Sequence, residues 1–388
     1  MTRDQRVHVA QVVTRFIAGA GGVALRGAAG LDPERFRVTV ITGEGGRLLD
    51  EAARLGMKAV LVPQLVSPIS PRNDAMALKQ LTRLLGEGQF DVVHTHSAKA
   101  GALGRVAAHR VGLGRVVHTY HGFPFHQFQS RLHRTAFIQV ERRLANLTHE
   151  VLAIGSGVAT EAIRLGLADP TRLRTITPVV DGHVVRMSPA ARLAARRRLG
   201  IAPDSLVVGT VGRLDFQKAP DDFVKMLDAL EHRAAVGVWV GDGPERASTE
   251  ARARTCGLGD RLKLLGDRDD VAEILPAFDV FAMTSRYEGL PCSVVEAMRC
   301  GVPVVATAVN SVPDLVVPGE TGFLAPPGRP ELTARSVDFL FRNPGVAARM
   351  SAGGRARTER GFDVSDLSKV LTEVYTGVSA PLKHLTAV

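Results

Sequence analysis

Residues 285–307 have the sequence SRYEGLPCSVVEAMRCGVPVVAT, which combines several signals of local structure. The stretch follows an apolar run at 280–283 and ends in another apolar run. Gly289 permits a close backbone approach, and Pro291 fixes φ where a helix begins, a position at which its missing N–H is tolerated. Gly301 suits a left-handed C-cap at the end of that helix. The stretch therefore predicts a strand, a loop, a short helix and a second strand.

Two glutamates accompany this predicted helix. Glu288 lies on the loop before it and Glu296 about one turn inside it, with seven residues between them. The free N–H groups and the positive dipole end at a helix N-terminus favour a diphosphate. Carboxylates beside such a site can accept hydrogen bonds from sugar hydroxyls. Two glutamates at this spacing also occur on ordinary surface helices, so the rest of the chain decides between these interpretations.

Apolar runs alternate with helix-period stretches along the whole chain. The strand-like runs of the first half are 7–13, 37–41, 58–62, 91–94, 115–119 and 150–154. Those of the second half are 206–211, 236–240, 262–265, 280–283 and 302–307. Near-continuous apolar strands alternating with helices are typical of parallel sheets covered on both faces. We predict an α/β protein with two doubly wound, Rossmann-like domains of five or six strands each.

A change of pattern near 180–204 marks the expected domain boundary, since β periodicity is lost there and several prolines flank an Arg- and Ala-rich helix. A length of 388 residues is also typical of two domains. We predict an N-terminal domain over 1–182, a C-terminal domain over 183–365 and a final helix or tail over 366–388 that crosses back to the N-terminal domain. In open α/β sheets ligands bind beyond the carboxyl ends of the strands, so we expect the site in a cleft between the domains.

The chain is basic, with 49 Lys and Arg, 39 Asp and Glu, and a formal net charge of +10. Attraction to sugar nucleotides or to an anionic membrane surface would suit this charge, although a solvated helix face explains the densest run, 192–198, most simply. Only 3 Tyr and 1 Trp are present, and no basic stripe has interleaved aromatics. Nucleic-acid binding is therefore disfavoured.

Several features suggest a cytoplasmic location. No run approaches the ~20 apolar residues that span a bilayer, and the polar start of the chain lacks a signal-peptide pattern. Cys256, Cys292 and Cys300 have neither an even count nor the spacing of metal ligands, which fits a reducing compartment. His94 and His96 share one face of a strand, but no acidic residue nearby completes a ligand set, so we predict no metal site.

Two further motifs follow predicted strands. Arg213 and Lys218 follow the first strand of the second half, where two fixed cations could stabilise charge that grows on a departing diphosphate. Ordinary surface cations after a strand would give the same sequence pattern.

Residues 19–22 are glycine-rich, but they form no complete G-x-G-x-x-G, and no G-x-x-x-x-G-K-S/T is present. Nicotinamide binding and nucleotide triphosphate hydrolysis are therefore disfavoured.

Taken together, these motifs resemble the retaining glycosyltransferases of family 4, which have two Rossmann-like domains facing across a cleft in the GT-B fold. The resemblance extends over most of the chain. It lies in the Glu288/Glu296 pair, CGVPVVAT from Cys300, PGETGFLAPP from Pro318, Gly212-Arg213-Leu214 with Lys218, Gly241-Asp242-Gly243-Pro244, residues 265–268, the glycines at 19–22, residues 93–101 and His118-Thr119-Tyr120-His121-Gly122.

The resemblance implies a set of site residues. The groups expected at the reacting centre are His121, Arg213, Lys218 and Glu288. The groups expected to bind the nucleotide sugar are Gly21, Gly22, Gly241, Gly243, Arg268, Gly289, Leu290, Pro291 and Glu296. By this resemblance Glu288 faces sugar hydroxyls, Glu296 binds the ribose, and the loop of Arg268 holds the base. Neither a metal ion nor a cofactor beyond the donor is implied.

The implied reaction is front-face substitution, in which the acceptor hydroxyl attacks on the side from which the diphosphate leaves. Glu288 is then an orienting residue and not a nucleophile of the kind that retaining glycosidases use. The expected donor is a UDP-linked hexose or N-acetylhexosamine. The N-terminal domain is expected to bind the acceptor, through residues 97–100 and the aromatic segment 123–128.

The acceptor and the function class stay open. A lipid-linked sugar in surface polysaccharide assembly and a small-molecule natural product both fit, and contact with an anionic membrane surface suits the first. A UDP-sugar 2-epimerase and a non-catalytic sugar-nucleotide-binding protein are the alternatives from other classes.

The sequence departs from the family pattern in three places. Residues 308–314 lack the usual glycine pair and have Asp314 where the family has Glu. The usual Lys-Gly is Lys218-Ala219, and the end of the first domain has Pro178-Val179-Val180-Asp181. No charged group is lost, but the choice of donor is least predictable here.

Overall fold

A computed structural model describes residues 5–17, 19–180, 185–359 and 362–377. The chain divides into two compact units, which are Met1–Val179 with Asp363–Val388 (unit 1) and Val180–Phe362 (unit 2). The predicted boundary between 182 and 183 and the end of the predicted tail, 378–388, lie outside the described residues.

Unit 1 is built on a fully parallel sheet of seven strands in the order β3-β2-β1-β4-β5-β6-β7 within the described residues. The strands are β1 (Val7–Phe16), β2 (Phe36–Gly45), β3 (Lys58–Leu61), β4 (Val92–His96), β5 (Val116–Tyr120), β6 (Glu150–Ile154) and β7 (Leu173–Ile176). The helices between them are α1 (Ala20–Ala29), α2 (Arg47–Arg54), α3 (Pro71–Glu87), α4 (Ala98–Arg110), α5 (Arg131–Ala145) and α6 (Ser156–Arg164). The strand order reverses between β1 and β4, where open α/β sheets bind ligands.

Unit 2 repeats this architecture, and its described residues form six parallel strands in the order β10-β9-β8-β11-β12-β13. The strands are β8 (Val207–Val211), β9 (Val236–Val240), β10 (Leu262–Leu264), β11 (Val280–Met283), β12 (Val304–Thr307) and β13 (Gly322–Ala325). The helices are α7 (Pro189–Leu199), α8 (Pro220–Ala229), α9 (Arg246–Thr255), α10 (Val271–Ile274), α11 (Cys292–Cys300), α12 (Pro330–Arg342) and α13 (Pro344–Thr358). Here the order reverses between β8 and β11.

The last helix, α14 (Val364–Thr376), packs in unit 1 against α1 and β1. Glycines make the close approach to α1 workable, because a Cβ at Gly30 would lie 2.5 Å from Val364 Cγ1. At the end of α14, Tyr375 is buried and accepts a hydrogen bond from Gln11 Nε2 at 2.8 Å. This contact joins residues 364 positions apart in the sequence.

The predicted class, two doubly wound α/β domains, is confirmed, but the strand count and one loop differ. The structure adds β7 and β13, both four-residue strands at sheet edges. Short edge strands have few buried positions, so their apolar pattern is weak. Gly21 and Gly22, expected on a loop, lie in the first turn of α1, with Gly19 as its N-cap. No helix in the described part of the chain is long and apolar enough to cross a bilayer.

Candidate active site

Two loops meet where the strand order of unit 2 reverses. Residues 212–219 follow β8 and residues 284–291 follow β11, and these two strands are neighbours in the sheet. The backbone N–H of Arg286 donates to Gln217 O at 2.8 Å, and the Arg286 guanidinium lies 4.3 Å from the centre of the Phe216 ring. Thr284 Oγ1 lies 3.2 Å from the carbonyl oxygen of Lys218. The two loops are therefore fastened to each other by backbone and side-chain contacts.

Glu288 is the best-anchored acidic side chain of this site. Its Oε1 accepts from Lys218 Nζ at 2.5 Å, and its Oε2 accepts from Gln217 Nε2 at 3.1 Å. The side chain of Glu288 is only 5% exposed and that of Lys218 17%. Both carboxylate oxygens thus have fixed donors, which defines the direction of the carboxylate before any ligand is bound.

Asp215 organises the basic pair. Its Oδ2 lies 2.7 Å from Arg213 Nη2, and its Oδ1 accepts from the backbone N–H of Lys218 at 3.1 Å. Arg213 remains 63% exposed, so its guanidinium is accessible to a ligand. The structure thus brings Arg213, Lys218 and Glu288 into one connected group around Asp215.

The departures from the family pattern contribute directly to this group. Asn310, which stands in the region of the missing glycine pair, has φ of +46°, and its Oδ1 accepts from the backbone N–H of Glu288 at 2.9 Å. Asn tolerates this left-handed conformation better than most residues. Ala219 replaces the usual glycine at φ of +50° and is fully buried. The backbone shape that glycine normally provides is therefore kept at both positions.

Helix α11 begins and ends as the sequence predicts. Pro291 is its N-cap, one position earlier than a first-turn proline, and Gly301 is a left-handed C-cap with φ of +97°. Gly289, Leu290 and Pro291 are buried beneath the N-terminus of the helix. Glu296 lies within α11 and is partly exposed.

The two glycines of the turn after β9 pack against the loop after β8. A Cβ at Gly241 would lie 2.2 Å from Gly212 O, and one at Gly243 would lie 2.3 Å from Leu214 O. Gly241 also has φ of +126°. Side chains at either position would displace the loop that carries Arg213, so both glycines have a structural reason to be present.

Arg268 is engaged within its own loop. Its Nε and Nη2 lie 2.7 and 2.6 Å from the two carboxylate oxygens of Asp270, which also accepts from Arg198. The hydrogen bonds from Arg268 hold the pKa of Asp270 well below its usual range. The Arg268 guanidinium is thus held by an acidic partner that the sequence analysis did not anticipate.

His121 belongs to a separate cluster in unit 1, at the carboxyl ends of the central strands. Its Nε2 lies 2.9 Å from His96 Nδ1, and His96 Nε2 lies 2.5 Å from Gln11 Oε1. His94 Nδ1 lies 2.6 Å from Tyr375 Oη and His94 Nε2 lies 2.6 Å from Thr119 Oγ1. Burial lowers the pKa of both His94 and His121 to about 3. These rings are therefore neutral at physiological pH.

His118 lies apart from this cluster. It is buried, and its Nδ1 lies 2.8 Å from Thr95 Oγ1.

Gly21 permits a tight turn after β1, because a Cβ there would lie 3.0 Å from Phe16 Cα. No group of three or more His, Cys, Asp or Glu side chains that could hold a metal ion is found among the residues described.

Sequence reasoning missed the polar residues that hold the expected ones in place. They are Gln11, Asp215, Gln217, Asn310 and Tyr375. Asp215 acts within its own loop, whereas the other four act through contacts between distant loops or elements, which no local spacing indicates. For Asn310 the only signal was its position in a divergent segment.

Two family descriptions match most of the chain. Residues 192–357 match "Glycosyl transferases group 1", and residues 17–184 match "Glycosyltransferase Family 4". A galactosyltransferase of Escherichia coli named UDP-Gal:alpha-D-GlcNAc-diphosphoundecaprenol alpha-1,3-galactosyltransferase is 33% identical over 318 residues, which cover 79% of this chain and 81% of the relative. D-inositol 3-phosphate glycosyltransferase of Actinosynnema mirum is 30% identical over 314 residues, or 74% of this chain and 72% of that one. The chain therefore belongs to this glycosyltransferase family.

Solved structures agree on the fold. HepE of Anabaena has been solved with UDP and glucose. Its structure aligns over 96% of this chain and 100% of the HepE chain, with a TM-score of 0.84 and 22% identity. WaaG, a glycosyltransferase involved in lipopolysaccharide biosynthesis, matches 95% of this chain and 100% of its own with a TM-score of 0.75 and 16% identity. The chain is thus a glycosyltransferase of the GT-B fold, as the sequence predicts.

Proposed function

We propose that this chain is a retaining, metal-independent glycosyltransferase that transfers a hexose or N-acetylhexosamine from a UDP-sugar to a hydroxyl of a lipid-linked glycan. The observation on which the proposal rests is the position of Glu288. Its buried carboxylate is joined to Lys218 beside the N-terminus of α11, at the point where the strand order of unit 2 reverses. Open α/β sheets bind their ligands at such a point.

The donor diphosphate would lie at the N-terminus of α11, near Arg213 and Lys218. The positive end of the helix dipole and two cations attract the diphosphate, and they stabilise it more strongly as the sugar–phosphate bond breaks. The acceptor oxygen forms a bond to the anomeric carbon on the face from which the diphosphate departs. The acceptor proton moves to a diphosphate oxygen. Arg213 and Lys218 supply the positive charge that a metal ion would otherwise bring.

Glu288 orients the sugar in this scheme. Both of its oxygens already accept hydrogen bonds, from Lys218 and from Gln217, and each oxygen keeps a lone pair for a sugar hydroxyl. A carboxylate fixed in this way suits recognition of hydroxyls better than attack on a carbon atom. Glu296, one helical turn further, would bind the ribose, and no cofactor besides the donor is needed.

The identity of the donor and acceptor is proposed by analogy with relatives. The name of the Escherichia coli relative gives UDP-Gal as donor and a GlcNAc-diphosphoundecaprenol as acceptor. HepE has also been solved with UDP-glucose. A UDP-sugar and a polyprenyl-diphosphate-linked sugar are therefore the substrates to test first.

A lipid-linked acceptor would require unit 1 to approach a membrane, and α5 has a suitable surface. One face of this helix, which we call the α5 face, consists of Leu132, Ala136 and Val140. These residues recur every four positions and are all exposed, with Leu132 82% exposed. Exposed Arg131 and Arg143 lie beside it. Exposed apolar residues bordered by arginines suit contact with an anionic bilayer surface. We propose a cytoplasmic enzyme that binds the inner membrane surface through the α5 face.

The function is tested by incubating the protein in EDTA with UDP-galactose, UDP-glucose, UDP-GlcNAc or GDP-mannose, each with a polyprenyl-diphosphate-GlcNAc or with D-inositol 3-phosphate. We expect transfer from one UDP-sugar to the lipid-linked acceptor, and transfer slower by about 10²-fold or more in Glu288→Gln. Transfer to inositol phosphate would replace the acceptor assignment. Formation of an epimer, or binding without turnover under all conditions, would refute the proposal.

The membrane contact is tested by sedimentation with vesicles of phosphatidylglycerol and phosphatidylcholine. We expect Leu132→Glu with Val140→Glu to release the protein, whereas Ile69→Glu, at an aliphatic residue that is 73% exposed elsewhere in unit 1, should not. Equal retention of both variants would exclude the α5 face.

A further inference from the structure

A continuous hydrogen-bonded chain crosses the interior of unit 1 from α14 to His121. Tyr375 Oη lies 2.8 Å from Gln11 Nε2, Gln11 Oε1 lies 2.5 Å from His96 Nε2, and His96 Nδ1 lies 2.9 Å from His121 Nε2. A branch of 2.6 Å connects Tyr375 to His94. Tyr375, Gln11, His96 and His94 are all buried, and His121 is partly exposed at the end of the chain.

The protons of this chain can be assigned from donor and acceptor rules. The amide of Gln11 donates from Nε2 to Tyr375, and the tyrosine hydroxyl can give its own proton to His94 Nδ1. Gln11 Oε1 can only accept, so His96 must be protonated at Nε2. A neutral His96 then has no proton at Nδ1, and it accepts from His121 Nε2.

The rings are neutral for a physical reason. Burial lowers the pKa of His96 well below its usual value, and the nearby His94 and His121 lower it further. With each ring neutral, each has a single proton, and the position of that proton is set by the neighbouring group. Reversal of the Gln11 amide would invert every donor and acceptor along the chain, so its orientation decides the state of His121.

We propose that Tyr375 and Gln11 are positioning residues that hold His121 in the tautomer protonated at Nε2, leaving Nδ1 to accept a hydrogen bond from a substrate hydroxyl. His121 then orients a hydroxyl and does not protonate the leaving diphosphate. The identity of that hydroxyl, on the donor sugar, rests on the proposed function, whereas the tautomer does not. The C-terminal helix thereby influences the site through a residue remote from it in sequence.

The tautomer can be measured by NMR of the full-length protein labelled with ¹⁵N-histidine, with the His121 signals assigned from His121→Asn. We expect a protonated Nε2 and an unprotonated Nδ1 in the wild type. Tyr375→Phe keeps the ring but removes the hydroxyl that accepts from Gln11, so the His121 signals should shift towards a mixture of tautomers.

Thr95→Val is the matched control, because it removes an equally buried hydroxyl that bonds His118 outside the chain. It should leave the His121 signals unchanged. A proton on Nδ1 of His121 in the wild type, or unchanged His121 signals in Tyr375→Phe, would overturn the proposal. A shift of the His121 signals in Thr95→Val equal to that in Tyr375→Phe would also overturn it.

Kinetics separate this proposal from the proposed function. Tyr375→Phe should lower kcat/KM for the donor roughly tenfold, about the contribution of one hydrogen bond. The expected tautomer pattern in a protein that transfers no sugar would refute the function alone. Sugar transfer with the opposite tautomer would refute the positioning role alone.

Discussion

Lys218 Nζ lies 2.5 Å from Glu288 Oε1, and this ion pair joins the loops after β8 and β11. Both side chains are largely buried, so each charge depends on the other for compensation. In the proposed reaction, Lys218 would gain a second anionic partner in the diphosphate while Glu288 would gain sugar hydroxyls. The pair would then couple recognition of the leaving group to recognition of the sugar.

The first prediction concerns the stability of this pair. Lys218→Met leaves the Glu288 carboxylate buried with only the neutral Gln217 as donor, and we expect a loss of about 3 kcal/mol. In the double variant Lys218→Met with Glu288→Gln, the loss in free energy of unfolding should be smaller than the sum of the losses in the two single variants. The difference should exceed about 1 kcal/mol. Urea unfolding of the four proteins measures this coupling. Additive effects would show that the pair contributes little.

The two glutamates should differ in their kinetic effects. Glu288→Gln removes the orienting charge at the sugar, and we expect kcat to fall by about 10²-fold or more, a loss typical of a group that acts at the transition state. Glu296→Ala should mainly raise the donor KM, because ribose binding is the same in the ground and transition states. Initial rates over a range of donor concentrations distinguish the two. Equal effects on kcat would contradict these separate roles.

Asn310 offers a matched pair of substitutions. Asn310→Gly keeps the left-handed backbone and loses only the hydrogen bond to the Glu288 N–H, whereas Asn310→Ala loses the bond and also strains the backbone. Both should reduce turnover, and the alanine variant should be less stable than the glycine variant by about 1 kcal/mol. Thermal unfolding and turnover of both variants test this. Wild-type turnover in Asn310→Gly would show that the contact does not position Glu288.

Unit 1 should lose stability in mild acid. Among the described residues of unit 1, four histidines have pKa values far below the usual value in the folded chain, chiefly through burial; they are His94, His96, His118 and His121. On unfolding their pKa values return to about 6.5, so the unfolded chain binds more protons below that pH. The contribution of these histidines to the free energy of unfolding is therefore fully present above pH 6.5. It declines as the pH falls towards 3, by about 1.4 kcal/mol per pH unit for each histidine.

Hydrogen exchange of unit 1 peptides at pH 7.5 and 5.5 measures this decline. Trp239, the only tryptophan in the sequence, lies in unit 2, so its fluorescence gives an internal comparison. As the pH is lowered, the amides of unit 1 should lose protection from hydrogen exchange at a higher pH than the one at which the Trp239 emission changes. Equal protection at both pH values would mean that these histidines are not neutral in the folded chain.

The sequence predicted the fold well because both sheets are buried on two faces. Near-continuous apolar runs identified six strands of unit 1 and five of unit 2, with β9 and β11 at their predicted bounds. The strands that were missed, β7 and β13, are short edge strands with little apolar pattern. The glycines at 19–22 were assigned to a loop because they resemble a glycine-rich loop after the first strand, whereas Gly21 and Gly22 lie in the first turn of α1, with Gly21 close to Phe16 at the end of β1.

The site was predictable only where its chemistry is local in sequence. Glu288, Glu296 and the caps of α11 follow one another along a single segment. By contrast, Asp215 and Gln217 hold their partners in ways that spacing does not reveal, and Asn310 and Tyr375 act through the contacts of a distant loop and helix. The association of Arg268 with Asp270 was likewise not foreseen, although the two residues are close in sequence.

The most direct test of retaining transfer at Glu288 is the anomeric configuration of the product. The protein, an α-linked UDP-sugar and the lipid-linked acceptor are incubated in EDTA, and the new glycosidic bond is examined by ¹H NMR, with Glu288→Gln as the comparison. We predict an α-linked product in the wild type and formation slower by about 10²-fold or more in the variant. A β-linked product, a requirement for a divalent metal, or full activity of Glu288→Gln would contradict it.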